Sequence, residues 1–429
     1  MRINIITMGC SKNLVDSENM MAGFAEAGWH VEFDAALSGQ DVVIINTCGF
    51  IHDAREESID KILELADAKT RGDIQKIFVV GCLSEIYKEE LRMELPEADH
   101  IFGVNATDEI RRIFNLDKNQ CSREKRVLST PSHYAYLKIS EGCDRRCSFC
   151  IIPEIRGSYI SRTVESLVDE AKMLAGRGVR ELILVAQDLT FYGNDLYGKN
   201  MLAVLLKKLE KVKGIEWIRL HYAFPADFPD DVPGIMKESH IICSYLDIPL
   251  QHISDNMLKK MRRGINKEKT INLINKIRKE VPGIALRTTL LTGHPGETEK
   301  DFSELKEFVK SARFERLGIF PYSHEENTYS YRNFRDDITD IEKKRRVSEI
   351  MDIQQDISLE LNKNKIGDIF KVLIDREDEE FYFGRTEFDS PEVDNEVIIK
   401  KTGILNPGSF YLVRITGADE FDLYANVVY

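Results

Sequence analysis

The stretch that most constrains this chain is Cys143-Asp144-Arg145-Arg146-Cys147-Ser148-Phe149-Cys150. Its thiols are spaced Cys-x₃-Cys-x₂-Cys, and the next cysteine downstream is Cys243. A closed structural zinc site wants four ligands, and so does a fully ligated cubane cluster. Three neighbouring thiolates instead suit a four-iron cluster with one iron left open. The competing readings are a zinc knuckle with His133 as fourth ligand, or three scattered core thiols.

A chain of 429 residues has room for two or three domains with sizeable cores. Its eight cysteines are too sparse for a disulfide scaffold and cluster as metal ligands do, which fits a reducing cytoplasm. No apolar run reaches the eighteen or so residues of a membrane span, and the chain opens on a strand rather than a signal peptide. The formal charge of −13 argues against a nucleic-acid footprint over the whole molecule.

Residues 1–116 read as a doubly wound parallel sheet. Ile3–Ile6, Val42–Ile45 and Ile77–Val80 are continuous apolar runs, each followed by an amphipathic helical pattern. Cys10, Cys48 and Cys82 each lie just past the carboxyl end of such a run, the edge where open parallel sheets bind ligands. Thiols far apart in sequence then converge, predicting a second metal cluster on Cys10, Cys48 and Cys82. The plain alternative is three buried thiols acting as small hydrophobes. Residues 117–130 are polar and aperiodic and read as a linker, with Cys121 in it a free thiol.

From 131 to 358 the strand–helix alternation resumes, with strands expected at 134–139, 180–186, 215–221, 244–248, 284–291 and 316–322. Six such units predict a partial (β/α)₆ barrel. Polar residues gather after these strands: Gln187 and Asp188, Gln251 and His252, and Thr292-Gly293-His294-Pro295-Gly296-Glu297. Gly293 and Gly296 are positions where backbone can approach a ligand closely. Arg156 and Arg162, following the cysteine stretch, are candidates to pair with a ligand carboxylate. Residues 337–363 read as a charged connecting helix. Residues 361–429 read as five short strands forming a small antiparallel β-barrel. From Ile366 onward there are fourteen Asp and Glu against six Lys and Arg, a net −8. That charge suits a basic partner better than RNA.

The cysteine spacing, Phe149 before the last cysteine and the upstream run Tyr134–Ile139 resemble the radical S-adenosylmethionine (SAM) superfamily. The order of parts over essentially the whole chain resembles the methylthiotransferases, whose small barrel is called the TRAM domain. One branch of that family modifies tRNA (the MiaB type), the other a ribosomal protein (the RimO type). Gly9-Cys10-Ser11-Lys12-Asn13-Leu14-Val15-Asp16-Ser17-Glu18, Ala186-Gln187-Asp188 and Gly384-Arg385-Thr386, followed by Asp389-Ser390-Pro391-Glu392-Val393-Asp394, look like the ribosomal-protein branch. His294 departs from the Phe that the family commonly carries there.

The resemblance implies two 4Fe–4S clusters and SAM. Cys143, Cys147 and Cys150 would hold the cluster that cleaves SAM to a 5′-deoxyadenosyl radical. Cys10, Cys48 and Cys82 would hold the cluster that carries sulfur. Phe149, Arg162, Gln187, Asp188, Gly293 and Gly296 would line the SAM pocket. The product would be 3-methylthioaspartate on the twelfth protein of the small ribosomal subunit, in the cytoplasm. Electrons would come from a donor such as flavodoxin or ferredoxin, and neither membrane nor tRNA is expected as a partner. Three rivals stand beside this reading: a tRNA methylthiotransferase, a non-enzymatic iron–sulfur or zinc scaffold, and a radical SAM enzyme whose N-terminal cysteines are structural.

Overall fold

The computed structural model describes residues 1–116 and 126–428. Cys121 and most of the expected linker therefore lie outside the described residues. The chain divides into two compact units, one of residues 1–130, 141–145 and 151–160, the other of residues 131–140, 146–150 and 161–429.

In the first unit, five strands form a wholly parallel sheet. Its spatial order is His30–Phe33, Arg2–Thr7, Gln40–Thr47, Ile74–Gly81 and His100–Ile101. Side chains alternate across a strand, so an apolar run feeds two cores at once. Ile3, Ile5, Val42 and Ile44 join Met20, Met21 and Phe24 of helix Ser11–Glu26. Val43, Ile45 and Val79 join Ile62 and Leu65 of helix His52–Arg71. The sheet is covered on both faces, as expected. Its two edge strands were not anticipated; they are short and carry His and Glu where the inner strands carry Ile and Val.

The second unit holds a six-stranded parallel sheet whose strands lie in chain order: Tyr134–Lys138, Glu181–Val185, Trp217–Leu220, Ile242–Asp247, Ala285–Thr292 and Arg316–Pro321. This is the expected partial barrel. Several of its helices begin on side-chain caps: Thr163, Asn266 and Thr339 each accept from a backbone N–H, and Thr298 with Asp301 forms a capping box.

Helix Asp340–Lys363 leads into a closed five-stranded barrel of Ile369–Glu377, Phe381–Arg385, Val397–Lys400, Phe410–Ala418 and Leu423–Val427. The barrel is not antiparallel throughout. Val397–Ile399 pairs in parallel with Leu423–Ala425, because strand Phe410–Ala418 intervenes in the chain and reverses direction between them. Gly384 has no alternative within this barrel: a Cβ there would sit 2.5 Å from the Leu373 carbonyl oxygen.

The small barrel docks on the amino-terminal ends of the six-stranded sheet. Glu181, Trp217 and Arg316 are the first residues of their strands, and Arg287 the third. Glu181 accepts from Arg219 Nε and Arg385 NH2, both at 2.8 Å, and all three are buried. Arg385 also bonds Asp375, which His133 Nε2 meets at 2.8 Å. The segment 386–394 extends these contacts: Asp389 pairs with Arg316, and Asp394 with Arg287 and the Tyr245 hydroxyl. Ser390 Oγ lies 2.9 Å from His221 Nε2. Part of the barrel's acidic charge is thus neutralised inside the molecule.

Burial pushes the Asp375 carboxyl up, but the Arg385 charge and the His133 hydrogen bond outweigh it and hold it down at about 2. A depressed carboxylate contributes stability above its ordinary pKa, near 3.9, and loses it as pH falls through the folded value. The stability difference between wild type and Asp375→Asn should therefore shrink by about 2 kcal/mol from about pH 5 to about pH 2, read from urea unfolding midpoints.

Candidate active site

The loops carrying Cys10, Cys48 and Cys82 meet at the carboxyl edge of the N-terminal sheet, and glycines set how closely they approach. A Cβ on Gly9 would lie 2.8 Å from Cys48 Sγ, and one on Gly49 would lie 2.7 Å from Leu83 N and Cα. A Cβ on Gly81 would lie 2.5 Å from the Thr47 carbonyl oxygen. Each cysteine thus has a glycine beside it in sequence that brings its loop against a neighbouring one. Asn13, fully buried, fastens them: its side-chain amide donates to Met8 O and Thr47 O, and its backbone carbonyl accepts from the Asn46 side chain. Ser58 bonds both the N–H and the C=O of Cys48.

Burial pushes all three thiols up. At Cys10 the charges of Lys12 and Arg156 and the amides of Asn13 and Lys12 outweigh it, leaving that thiol below its ordinary value. Cys48 stays raised, and Cys82 is pushed up to about 11. Each of these two also feels the Cys10 sulfur, so the three form one electrostatic group.

A tetrahedral zinc site with Zn–S near 2.3 Å draws its sulfurs to within about 3.8 Å of one another. Among the described residues, only His52, Asp53 and Glu56 bring three such ligand atoms within 4.8 Å of one another. Cys10, Cys48 and Cys82 are not such a group, and a cluster would spread its thiolates over several irons. Gly9→Ala combines a strained φ of +87° with a Cβ in the Cys48 side chain. After anaerobic reconstitution it should lose about four of about eight irons per chain, read by iron and sulfide analysis.

Arg156 is buried in the first unit and points at this triplet. It bonds Asp16 at 3.0 Å, Glu141 at 2.9 Å and the Asn13 side chain, and lies 3.6 Å from Cys82 Sγ. Arg162 also departs from the expected carboxylate-binding role. Its guanidinium pairs with Glu170 and donates to Lys138 O and Ser166 Oγ, which ties it to strand Tyr134–Lys138 and helix Val164–Gly176.

The Cys143–Cys150 stretch follows the carboxyl end of strand Tyr134–Lys138, the end where barrel enzymes place chemistry. Cys143 and Cys147 are buried and Cys150 is half-buried. Phe149 and Cys150 border the apolar cluster of Cys147, Phe224 and Ala226. Ser148 N–H donates to Met261 O at 3.0 Å. Arg263, which the sequence did not single out, donates from NH1 to Cys147 Sγ at 3.1 Å.

Asp188 caps the short helix Leu189–Phe191 by accepting from Thr190 N and Oγ1, and Gln187 immediately precedes it. The glycines of 292–297 serve their own turn. Gly293 leaves space for the Lys343 side chain, and Gly296 for Lys260, whose Nζ donates to Gly296 O. Buried Glu297 organises that turn by accepting from Thr292 Oγ1, Gly293 N and His252 Nε2, and it pairs with Arg346. His252 Nδ1 accepts from Ile253 and Ser254, which leaves its proton on Nε2 facing Glu297.

His294 is fully buried, with Nε2 at 2.9 Å from Ser330 Oγ and 3.3 Å from Ser148 Oγ. Burial lowers it to about 4, so it is neutral near pH 7. It braces the loop between Cys147 and Phe149, which a Phe could do only by packing.

Three family models match the chain: Uncharacterized protein family UPF0004 over residues 2–103, Radical SAM superfamily over 137–309 and TRAM domain over 366–428. A relative from Bacteroides thetaiotaomicron named ribosomal protein uS12 methylthiotransferase RimO is 54% identical over 428 residues, covering 100% of this chain and 98% of its own length. The protein of the same name from Porphyromonas gingivalis is 54% identical over 431 residues, covering 100% and 99%. The chain belongs to the RimO family of radical SAM methylthiotransferases.

Membership in the RimO family makes it a radical SAM enzyme, with SAM and 4Fe–4S clusters as cofactors. It also decides against the tRNA branch weighed beside it. Solved structures agree on the fold. The radical SAM methyltransferase TsrM from Kitasatospora setae matches at TM-score 0.54 and 15% identity, covering 75% of this chain and 74% of that one. The radical SAM enzyme OxsB matches at 0.52 and 13%, covering 82% and 56%. In this RimO-family chain, the RimO-like segments earn their residues structurally: Asn13 and Asp16 stand beside the N-terminal cysteines, and 384–394 forms the junction between the two barrels.

Proposed function

We propose that the chain inserts a methylthio group at the β-carbon of an aspartate in ribosomal protein uS12, giving 3-methylthioaspartate. Cys143, Cys147 and Cys150 hold one 4Fe–4S cluster and its SAM within a core of residues 131–358, and Cys10, Cys48 and Cys82 hold a second within residues 1–116. The observation that carries this is the convergence of three glycine-flanked cysteines at one sheet edge, flanked by Arg156.

When bound, the clusters and SAM supply the one-electron chemistry, sulfur and methyl group that side chains lack. The β-carbon C–H bond is unactivated, so the residues around it have no acid–base route to it. Their work is to bind, orient and exclude water. Arg156 and Lys12 balance thiolate charge at the first triplet, and Ser148, braced by His294 and Ser330, holds the second loop in place.

The client fits the charge of the C-terminal barrel, residues 361–429. With Asp375, Asp389 and Asp394 paired internally, the exposed Asp378-Glu379-Glu380 turn is one acidic stretch available to meet a basic ribosomal protein. A small reduced ferredoxin or flavodoxin delivers electrons, and the reaction runs in the cytoplasm. Among the described residues no helix is long and apolar enough to cross a membrane. The test is incubation of the reconstituted enzyme with uS12 and, separately, with tRNA. Methylthiolation of a uS12 aspartate is expected; methylthiolation of tRNA adenosine with unmodified uS12 would overturn the proposal.

A further inference from the structure

Arg263 stands at the end of helix Asp255–Lys260, where Arg262 takes a left-handed φ of +56° and reverses the chain. The reversal sends neighbouring arginines opposite ways. Arg262 is exposed over the Tyr329 ring, at 4.3 Å from its centroid, while Arg263 turns inward and is 4% exposed.

Inside, Arg263 lies 4.2 Å over the Phe224 ring, donates from NH2 to Pro249 O and from NH1 to Cys147 Sγ at 3.1 Å, and has no partner for Nε. No carboxylate pairs with it among the described residues. Burying an uncompensated guanidinium costs several kcal/mol, so buried cations are found against an anion. Among the described residues, the side chain its donors reach is Cys147, whose sulfur becomes anionic on ligating a cluster. Arg156 differs, because Asp16 and Glu141 already offset its charge.

We propose that Arg263 is the counter-charge of the cluster on Cys143, Cys147 and Cys150, and that it raises that cluster's reduction potential. This rests on the assignment made above. Three thiolates leave such a cluster net negative, and one-electron reduction adds a further charge. A fixed cation hydrogen-bonded to a ligand sulfur favours the reduced state. Arg263 is a positioning residue: it acts through Cys147, bringing reduction within reach of a ferredoxin- or flavodoxin-class donor.

The test uses the full chain with Cys10, Cys48 and Cys82 replaced by alanine, so that one cluster remains. Iron, SAM affinity and a mediated redox titration are compared for this parent, Arg263→Lys and Arg263→Met. About four irons are expected in all three. The midpoint should move negative in Arg263→Met and lie between in Arg263→Lys, with SAM affinity within about twofold of the parent. Full iron with an unchanged midpoint would overturn the inference. A tenfold loss of SAM affinity at an unchanged midpoint would make Arg263 an anchor for the SAM carboxylate instead. Loss of iron from both variants would reduce it to a prop for the loop. An iron-free parent would defeat the cluster assignment, and this inference with it.

Discussion

Replacing Cys48 with alanine is expected to leave reductive cleavage of SAM intact while methylthio transfer falls by more than roughly a hundredfold, beyond the loss typical of removing a mere neighbour of a ligand. Cys48 sits at the centre of its triplet, with Gly9 against its sulfur and Ser58 on its backbone. Its removal takes one of three ligands from the N-terminal site and none from Cys143–Cys150. Iron should fall from about eight to about four per chain. The Cys143/Cys147/Cys150 triple alanine variant should also retain about four, but with no cleavage of SAM. 5′-Deoxyadenosine release and the mass of uS12 separate the two outcomes. If Cys48→Ala still transferred sulfur, the N-terminal cysteines would be structural thiols.

Glu181→Ala should destabilise the folded chain by about 3–5 kcal/mol, the range for removing one partner from a buried ion pair. Glu181 stands between Arg219 and Arg385, and its removal leaves Arg219 without a carboxylate partner. Arg385 keeps Asp375, whereas among the described residues Arg219 keeps no carboxylate, its other contacts being the backbone carbonyls of Thr386 and Glu387 and the Trp217 and Tyr245 rings. The loss reflects stranded charge rather than the net worth of the pair, since exchanging the whole group for well-packed apolar residues could be close to neutral. Urea unfolding measures it, and a loss below about 1 kcal/mol would put Glu181 among the weak surface-type pairs. Iron in the folded fraction should not change, because Glu181 begins its strand, at the opposite end of the sheet from Cys147 and Cys150.

The sheets and both cysteine triplets were legible because their signals are local. Apolar runs of strand length, glycine beside cysteine and Cys-x₃-Cys-x₂-Cys all fit within a few residues. Edge strands His30–Phe33 and His100–Ile101 escaped because neither is apolar enough to show. The arginines were harder for a different reason. Arg156 finds Asn13 across 143 residues, Arg263 finds Cys147 across 116, and Arg385 finds Glu181 across 204. Such partners leave no periodicity to read, so an arginine bound for a sulfur looks like one bound for solvent. The acidic barrel misled in the same way: its net charge was visible, but not that Asp375, Asp389 and Asp394 would be neutralised within the fold.

The junction between the two barrels bears on how such chains can recombine. A small barrel joined by a tether can be exchanged between genes as a cassette. This one presents Asp389 and Asp394 to arginines on two different strands and takes Glu181 from a third. A transplanted barrel lacking those carboxylates would strand Arg287 and Arg316 in the host, and the host's Glu181 would meet no Arg385. The small barrel and the six-stranded sheet must therefore be inherited together, and on the proposed reading a change of client has to arise by altering the barrel's exposed hairpins while its docking loop stays as it is.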